Sequence, residues 1–376
     1  MSKLRRAGVV ARALAAQARG PAPPRVEPLE LAPCAAALER AGAQVAAVRV
    51  GARARPWTTS GLRAVAGAPL TWLAHGDTWI FSQRGTHVPA ALQLRVRTGG
   101  RAPALSGTGP THTAPAPHDG EVELCCLYPD ELQGPDEQLV GDLLPRRAFG
   151  GGFDVAVAVW APGTDVGAAL AAAADPTGLC AREAERLAHP LAPPEGWHAH
   201  PVLALTGLHA AGDAEIAVED PGGGVEIIRR DARVPLTPTL ALRWRWRLDT
   251  LPSPLAEDTL LTHDYLSVAV EFDDGKDLTY YWSSSLPPET SYRCPLPHWR
   301  HREWHLVVCS GRDRLGTWQA EQRTIAPDRD RAIGGRAPRE VTRVWLIATT
   351  VAQRGRASGR YAEVALVDGD ALTQVL

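Results

Sequence analysis

The chain has 376 residues, of which 45% are hydrophobic and 22% charged, so it is long enough for two domains and too apolar to be disordered. Its formal net charge of −2 provides no basic field for nucleic acid, and the sequence predicts no such partner. No run of about 18 apolar residues exists, so no transmembrane segment is predicted either.

The six cysteines form no CxxC pair, which argues against a zinc framework and against a disulfide-dense secreted scaffold. Reduced thiols in a cytoplasmic protein are therefore expected. The first residues imitate a signal peptide, but Arg12 interrupts the apolar stretch and Arg19 follows, so we expect no export. A short helical arm over residues 1–50 is predicted. A solvated arm is favoured over a basic helix lying on a membrane.

Residues 51–165 predict a first β-domain, because short apolar runs are separated by turn residues without a helical period. Residues 99–117 are rich in Gly, Pro, Thr and Ala and predict a long surface loop. The strands are expected at residues 69–74, 79–81, 92–96, 120–125 and 153–160.

Residues 166–192 predict an alanine-rich helix followed by a proline-rich linker. The sequence Asp175-Pro-Thr-Gly178 is expected to interrupt this helix. A second β-domain is predicted over residues 193–376. The predicted fold class is therefore mainly β, with two antiparallel jelly-roll-like sandwiches joined by a helix.

The second domain is organised around the run Leu240–Leu248, in which apolar and arginine residues strictly alternate. Only a strand with one buried face separates two such sets. Trp244 and Trp246 should therefore lie in the core. The same parity sends Leu266, Val268, Val270 and Phe272 inward.

If the neighbouring strands join this strand in one sheet, its outward face combines arginine, tyrosine, histidine and glutamate side chains, a surface suited to a small ligand. The alternative is a solvated face with cross-strand ion pairs. Aromatic residues near position 280 and near position 300 can also form a cleft. The predicted ligand-binding residues are Arg243, Arg245, Tyr265, Tyr281, Trp282, Arg293 and Trp299.

Four residues are candidates for proton transfer, because His, Asp and Glu side chains supply general acids and bases. An Asp beside a His can orient the imidazole, although neighbours in a strand point in opposite directions. The candidate catalytic residues are His263, Asp264, Glu271 and His305.

No metal or cofactor site is predicted. Three aspartates near Gly275 invite a calcium interpretation, but the EF-hand spacing is missing, and Asp274-Gly275 is typical of a hairpin turn. A nucleophilic pair of Cys294 with a nearby histidine is conceivable but lacks a motif. No P-loop, no GxGxxG after a strand, no GxSxG and no HExxH occurs, which argues against nucleotide-dependent chemistry.

The region from Leu240 to Leu366 resembles a bacterial family catalogued as domain of unknown function 3047. The landmarks are Trp244-Arg-Trp246, a strand ending in Glu271-Phe272, the run Leu278-Thr-Tyr-Tyr-Trp282, and the late Tyr361. The resemblance implies a β-sandwich or jelly roll and no assigned activity. Where much of the family shows paired aspartates, this chain has His263-Asp264. The first half is faintly similar to calcium-dependent galactose-binding lectins in strand pattern, without their calcium ligands.

Three functions remain open from the sequence. The first is binding of a small molecule or carbohydrate by the second domain. The second is a cofactor-independent cyclase, isomerase, lyase or hydrolase, which a closed pocket with a carboxylate of raised pKa would favour. The third is a protein-interaction scaffold, which a flat apolar patch would favour. The oligomeric state is not predicted.

Overall fold

The computed structural model describes residues 15, 26–53, 57–80, 86–107, 109–127, 132–133, 138–139, 146–190, 193–199, 208–211, 215–220, 224–254, 256–259, 265–294, 299–351, 353 and 355–376. Most of the predicted N-terminal helical arm before residue 26 lies outside these residues, as do His263 and Asp264. The described chain forms two compact units, residues 26–190 and residues 193–376. The predicted domain bounds stay a prediction. Among the described helices, none has the length and apolar character needed to cross a membrane.

The N-terminal unit contains four helices and eleven strands, counted over its described residues. The helices are α1 (Ala32–Arg40), α2 (Ala90–Gln93), α3 (Val166–Ala172) and α4 (Leu179–Ala188). The strands are β1 (Gln44–Gly51), β2 (Thr58–Ala64), β3 (Pro69–Ile80), β4 (Thr86–Val88), β5 (Leu94–Thr98), β6 (Leu105–Ser106), β7 (Thr111–Pro115), β8 (Gly120–Cys126), β9 (Leu132–Gln133), β10 (Gln138–Leu139) and β11 (Phe149–Val159).

Two sheets of this unit share one apolar core. The five-stranded sheet has the order β1-β11-β3-β4 with β7 beside β3, and the four-stranded sheet has the order β2-β8-β5-β6. Trp72 and Phe153 of the first sheet pack with Leu94 and Leu124 of the second. Helices α1, α3 and α4 cover the other face of the five-stranded sheet. This is a β-sandwich with a helical layer.

Two predictions about this unit meet different outcomes. The alanine-rich stretch is interrupted as expected, because Asp175-Pro-Thr-Gly178 separates α3 from α4 and Gly178 has a φ of +75°. The predicted surface loop over residues 99–117 is wrong in part. It contains β6 and β7, since backbone pairing to β5 and β3 forms strands where the composition alone indicates a loop.

The C-terminal unit contains thirteen strands and one helix in the described residues. They are β12 (His198–Ala199), β13 (Leu208–Ala210), β14 (Glu215–Asp220), β15 (Val225–Pro235), β16 (Ala241–Thr250), β17 (Ser267–Phe272), β18 (Asp277–Ser283), β19 (Ser291–Arg293), β20 (Glu303–Ser310), β21 (Gln319–Thr324), α5 (Ile325–Ala332), β22 (Glu340–Thr349), β23 (Ala357–Asp368) and β24 (Ala371–Gln374).

These strands form two sheets that pack face to face. The seven-stranded sheet has the order β12-β15-β22-β17-β18-β20-β19, and the six-stranded sheet has the order β13-β14-β23-β16-β21 with β24 beside β23. The Asp274-Gly275 turn joins β17 to β18 as an antiparallel hairpin, as predicted. Among the described strands, β18 and β20 are the one parallel pair. The mainly β prediction is confirmed, whereas the jelly-roll connectivity stays a prediction.

The core between these sheets confirms the predicted inward residues. Trp244 and Trp246 are fully buried, and their rings lie 5.5 Å from Tyr280 and 5.9 Å from Trp282 across the sandwich. The hydroxyl of Tyr361 in β23 accepts from the backbone N–H of Ser267 at 2.9 Å and donates to a carbonyl of β22 at 2.7 Å. Apolar packing and this inter-sheet hydrogen bond therefore both hold the sandwich together.

Candidate functional site

The predicted single outward face is divided between two sheets. β16, which carries the arginines, belongs to the six-stranded sheet, whereas β17, β18 and β20 belong to the seven-stranded sheet. The premise of one shared sheet is therefore wrong. The chain crosses from one sheet to the other between β16 and β17, so Arg243 and Arg245 do not share a sheet face with Tyr281 or His305.

The face with the arginines is a partly solvated surface built from ion pairs. We call Arg243, Arg245 and Arg247 the arginine face. Arg243 is exposed, Arg245 lies 2.7 Å from Glu363, and Arg247 lies 2.8 Å from Asp249. The guanidinium groups of Arg245 and Arg247 lie over the ring of Trp318, at 5.1 and 5.9 Å. The Arg245–Glu363 pair joins β16 to β23 and fits the alternative of a solvated face with cross-strand ion pairs, whereas Arg247 and Asp249 both lie in β16.

The outer face of the seven-stranded sheet is buried, contrary to the predicted solvent-facing surface. Every residue of β17 and of β18 is buried, on both faces of the sheet. Tyr281 and His305 have no exposed surface. Strands covered on both sides occur at the centre of layered folds, where polar side chains need partners inside the protein.

Three aromatic rings meet on this covered face, and we call Tyr281, Tyr292 and His305 the ring cluster. Tyr292 of β19 stacks on His305 of β20 with centroids 4.9 Å apart and an angle of 11° between the planes. Tyr281 of β18 meets both rings edge-on, at 6.0 and 5.8 Å. Since β19 is the edge strand and Tyr292 is half-buried, the ring cluster extends from the interior to the sheet edge.

A buried carboxyl group lies beside the ring cluster. Glu257, in a 3₁₀ turn spanning Glu257–Thr259, accepts hydrogen bonds from the Ser283 hydroxyl at 2.5 Å and from the Ser284 N–H and hydroxyl at 2.6 Å each. Burial raises the pKa of Glu257, and these hydrogen bonds only partly oppose the increase. A carboxyl group that retains its proton above its ordinary pKa is suited to donate a proton or a hydrogen bond.

Tyr281 connects this carboxyl group to the rings. Its pKa is raised, first by burial and then by the nearby negative charge of Glu257. The hydroxyls of Tyr292 and Ser283 lie close enough to the Tyr281 hydroxyl to oppose that increase. Tyr281 therefore places a buried phenol between the carboxyl group and the other rings, where a polar group needs partners inside the protein or on a bound molecule.

The predicted residue Glu271 lies in a separate network of partners. Its carboxylate accepts from the Trp345 indole at 3.0 Å and from Arg343 at 3.1 Å, and Arg302 lies 3.8 Å away. Arg302 lies over the Trp299 ring at 5.1 Å and over the Trp345 ring at 5.8 Å. Glu271 and Trp299 therefore belong to one ion-pair and cation–π network on this face.

Three further predicted residues lie away from the ring cluster. Tyr265, predicted to face outward, is buried in the core between the sheets, and so is Trp282, whose indole donates to the Gly311 carbonyl at 3.1 Å. Arg293 is exposed on the edge strand β19, with its guanidinium 4.7 Å from the Trp304 ring. The parity prediction fails for Tyr265 because this residue precedes β17 and does not follow the strand's alternation.

Glu257 is not among the residues that the sequence predicts for a site. This residue lies in a proline-interrupted stretch without periodicity, so no local pattern marks it. Only the contact with Ser283 and Ser284, 26 and 27 residues later, places it on the sheet face. The serine triplet 283–285 at the end of an apolar strand was the one available signal.

A groove on the N-terminal unit contains none of the predicted site residues. It lies between β7 and the helices α3 and α4, and half of its lining residues are alanine or glycine. Its carboxylates already have partners, because Asp165 caps α3 and Glu185 pairs with His189 at 2.9 Å. The ring cluster is therefore the better candidate for a functional site than this groove.

Residues 221–365 match the family model described as "Protein of unknown function (DUF3047)". This match confirms the resemblance of the C-terminal region. It covers less than half of the chain and includes both the arginine face and the ring cluster. The description of this family model names no activity, so the match assigns no function to these residues. No curated protein matches this sequence.

Three solved structures show weak similarity. The xyloglucanase domain of NopAA, a type three effector from Sinorhizobium fredii, has 11% identity and a TM-score of 0.31 over 48% of this chain and 93% of its own. A structure of carbohydrate-binding modules of the β-sandwich superfamily has 10% identity and a TM-score of 0.25 over 86% of this chain and 98% of its own. The N-terminal, PllA-like lectin domain of EclA has 19% identity and a TM-score of 0.23 over 30% of this chain and 95% of its own. At these TM-scores, none of the three bears on the function of this chain.

Proposed function

We propose that the C-terminal unit binds a small, neutral, hydroxyl-bearing molecule of the saccharide class at the ring cluster. The observation that carries this proposal is the set of three rings reaching from buried Tyr281 to half-buried Tyr292 at the sheet edge. Ligand sites in proteins combine aromatic surface with a few polar groups that fix orientation. The ring cluster and Glu257 supply both.

The electrostatics favour a neutral ligand over a charged one. The raised pKa of Glu257 disfavours its charged form, so this carboxyl group offers hydrogen bonds more readily than a fixed negative charge. Within the ring cluster His305 lies 3.5 Å from Glu303, and Arg302 lies 3.8 Å from Glu271 and 3.5 Å from Asp277, so these groups already have partners. A ligand hydroxyl can accept a hydrogen bond from Tyr281, and apolar ring faces of a sugar can pack against Tyr292.

The test is calorimetric titration of the purified protein with mono- and disaccharides and with apolar metabolites, each with and without calcium or EDTA. Tyr292→Ala should weaken the binding of the strongest ligand at least about 10-fold, which corresponds to about 1.4 kcal/mol. Trp318→Ala, on the arginine face, is the matched control and should leave the affinity unchanged. The reverse pattern would move the site to the arginine face. If no molecule in the panel binds, the saccharide proposal is refuted.

Acid–base catalysis is the second candidate, and the raised pKa of Glu257 favours it. In this role Glu257 donates a proton to a mostly apolar metabolite, and His305, whose ring centroid lies 5.8 Å from that of Tyr281, accepts one. Glu257→Gln keeps a hydrogen-bonding group of similar size but removes the proton donor. Catalysis would be supported if the native protein turns over a substrate and this variant does not, while both bind the ligand with the same affinity. Full turnover in the variant would exclude Glu257 as the acid.

A further inference from the structure

Two buried cysteines from distant parts of the sequence meet in the N-terminal unit. Cys34 lies in α1 and Cys180 lies at the start of α4, and their sulfur atoms are 4.0 Å apart. Both are free thiols without exposed surface. A carboxylate oxygen of Asp175 lies near both sulfur atoms, and the three potential ligand atoms are all within 4.8 Å of one another.

Backbone contacts hold Asp175 in position. Its carboxylate accepts from the Cys180 N–H at 2.9 Å, from the Thr177 N–H at 2.9 Å and from the Thr177 hydroxyl at 2.7 Å. Asp175 therefore presents a fixed carboxylate oxygen beside the two thiols.

The separation of the sulfur atoms suits a shared metal ion. Two thiolates on a tetrahedral zinc ion, each at about 2.3 Å, lie about 3.8 Å apart. Two ionised thiols 4.0 Å apart and without exposed surface would repel each other, so they are unfavourable without a cation. A divalent ion that replaces the two thiol protons removes this cost, because its charge neutralises both sulfur atoms.

We propose that Cys34, Cys180 and Asp175 form a site for a thiolate-preferring divalent transition metal ion such as zinc. One ion binds two thiolates and one carboxylate, and two protons leave the thiols. Three protein ligands leave the fourth tetrahedral position for water. The site joins α1 to the α3–α4 connection, and it is independent of the function proposed for the C-terminal unit.

The sequence gives no signal for this site because its ligands are far apart. Zinc sites are usually recognised by closely spaced CxxC pairs. Here Cys34 and Cys180 are separated by 146 positions and come together only because α1 and α4 cover the same face of the five-stranded sheet. The prediction of no metal was based on the missing CxxC and EF-hand spacings and on the hairpin character of Asp274-Gly275.

The experiment uses cobalt as a spectroscopic probe of the full chain. The reduced protein, freed of metal with a chelator, is titrated with Co²⁺, and thiolate-to-cobalt absorption, bound metal and released protons are measured. We expect one equivalent of Co²⁺, about two protons released at a pH below the thiol pKa values, and displacement by Zn²⁺. Cys34→Ser and Cys180→Ser should each weaken binding by more than about 100-fold, and Asp175→Asn by about 10-fold.

Two controls separate metal binding from folding. Cys294→Ser changes a buried cysteine of the C-terminal unit and should leave the cobalt spectrum unchanged. Thr177→Val removes a hydroxyl that contacts Asp175 but retains every proposed ligand, so its affinity should change less than that of Asp175→Asn. Asp175→Asn also remains informative if the cysteine variants fail to fold.

Three results would overturn the proposal. One is the absence of stoichiometric Co²⁺ binding by folded, reduced protein. Another is a thiolate-to-cobalt spectrum that Cys34→Ser leaves intact, because the site would then lie elsewhere. The third is a Cys34–Cys180 disulfide in protein purified without reductant that re-forms in the presence of excess zinc, which would make the pair a redox couple.

Discussion

The strands on the two outer faces of the C-terminal sandwich have similar sequence alternation, but the two faces lie in different environments. On the six-stranded sheet, the arginine face stays at the surface, where Arg245 pairs with Glu363 of the neighbouring strand and Arg247 pairs with Asp249 of its own strand. On the seven-stranded sheet, the polar residues of β17 and β18 are completely covered. Alternation therefore identifies which residues share a face, but it does not tell whether a second layer covers that face.

This difference also separates interactions of unequal strength. Ion pairs at a solvated surface contribute little to stability, because water screens them and ordering long side chains costs entropy. A buried carboxyl group such as Glu257 must be satisfied internally, and its protonation is coupled to folding. Four experiments test this contrast.

The largest effect is expected from the core that both outer faces share. Trp246→Ala should lower the free energy of unfolding by about 3–5 kcal/mol, because it removes a fully buried ring packed against Trp244 and Trp282. Trp318→Ala, a half-buried tryptophan at the arginine face, is the matched control and should cost about 1 kcal/mol or less. Urea denaturation measures both, and equal losses would contradict the assignment of the buried face.

Breaking the network on the covered face should have an intermediate effect. Glu271→Ala removes the acceptor for Trp345 and Arg343 and should cost about 1–3 kcal/mol, because the buried indole N–H loses its partner. Thermal and urea unfolding measure this loss. An unchanged stability together with lost turnover would instead support the original prediction that Glu271 is catalytic.

Glu257 should make stability depend on pH in a defined direction. The pKa of Glu257 is near 4.5 in the unfolded chain and is raised in the folded protein. The folded protein therefore keeps the Glu257 proton to a higher pH than the unfolded chain does. The stabilising contribution is complete below the unfolded value and is lost as pH rises through the folded pKa. Each unit by which folding raises the pKa corresponds to about 1.4 kcal/mol in the free energy of unfolding.

The comparison with Glu257→Gln isolates this contribution. The variant cannot ionise, so the native protein should lose stability relative to it as pH rises above about 4.5. Urea denaturation of both proteins in a pH series gives the difference directly. Parallel stability curves would show that Glu257 titrates alike in the folded and unfolded states.

The smallest effect is expected on the arginine face. A double-mutant cycle of Arg245→Ala and Glu363→Ala should give a coupling of about 0.2–1 kcal/mol, because the pair is partly solvated. Added salt should reduce that coupling further. A coupling well above this range would show that the arginine face is less solvated than its exposure indicates.

Much of the fold follows from local sequence. The alternation of Leu240–Leu248 correctly places Trp244 and Trp246 in the core, because side chains of a strand alternate strictly between two faces. Asp274-Gly275 correctly predicts the hairpin, since glycine readily adopts the positive φ that this turn contains. The break between α3 and α4 is likewise local in origin.

The candidate site was less predictable, because its parts come from separate segments. Tyr281 and His305 were identified from parity, but their burial depends on layers that parity does not report. Glu257 reaches Ser283 through a tertiary contact that leaves no pattern in the sequence.

The sequence by itself determined the β class, the buried face of β16 and the main turns, because these depend on side-chain periodicity and on the backbone preferences of Gly and Pro. Only the tertiary structure decided which sheet each strand joins, which outer face is covered, and which distant residues meet. Strand order and layer packing depend on contacts between residues far apart in the chain, and Cys34 with Cys180 is the clearest case.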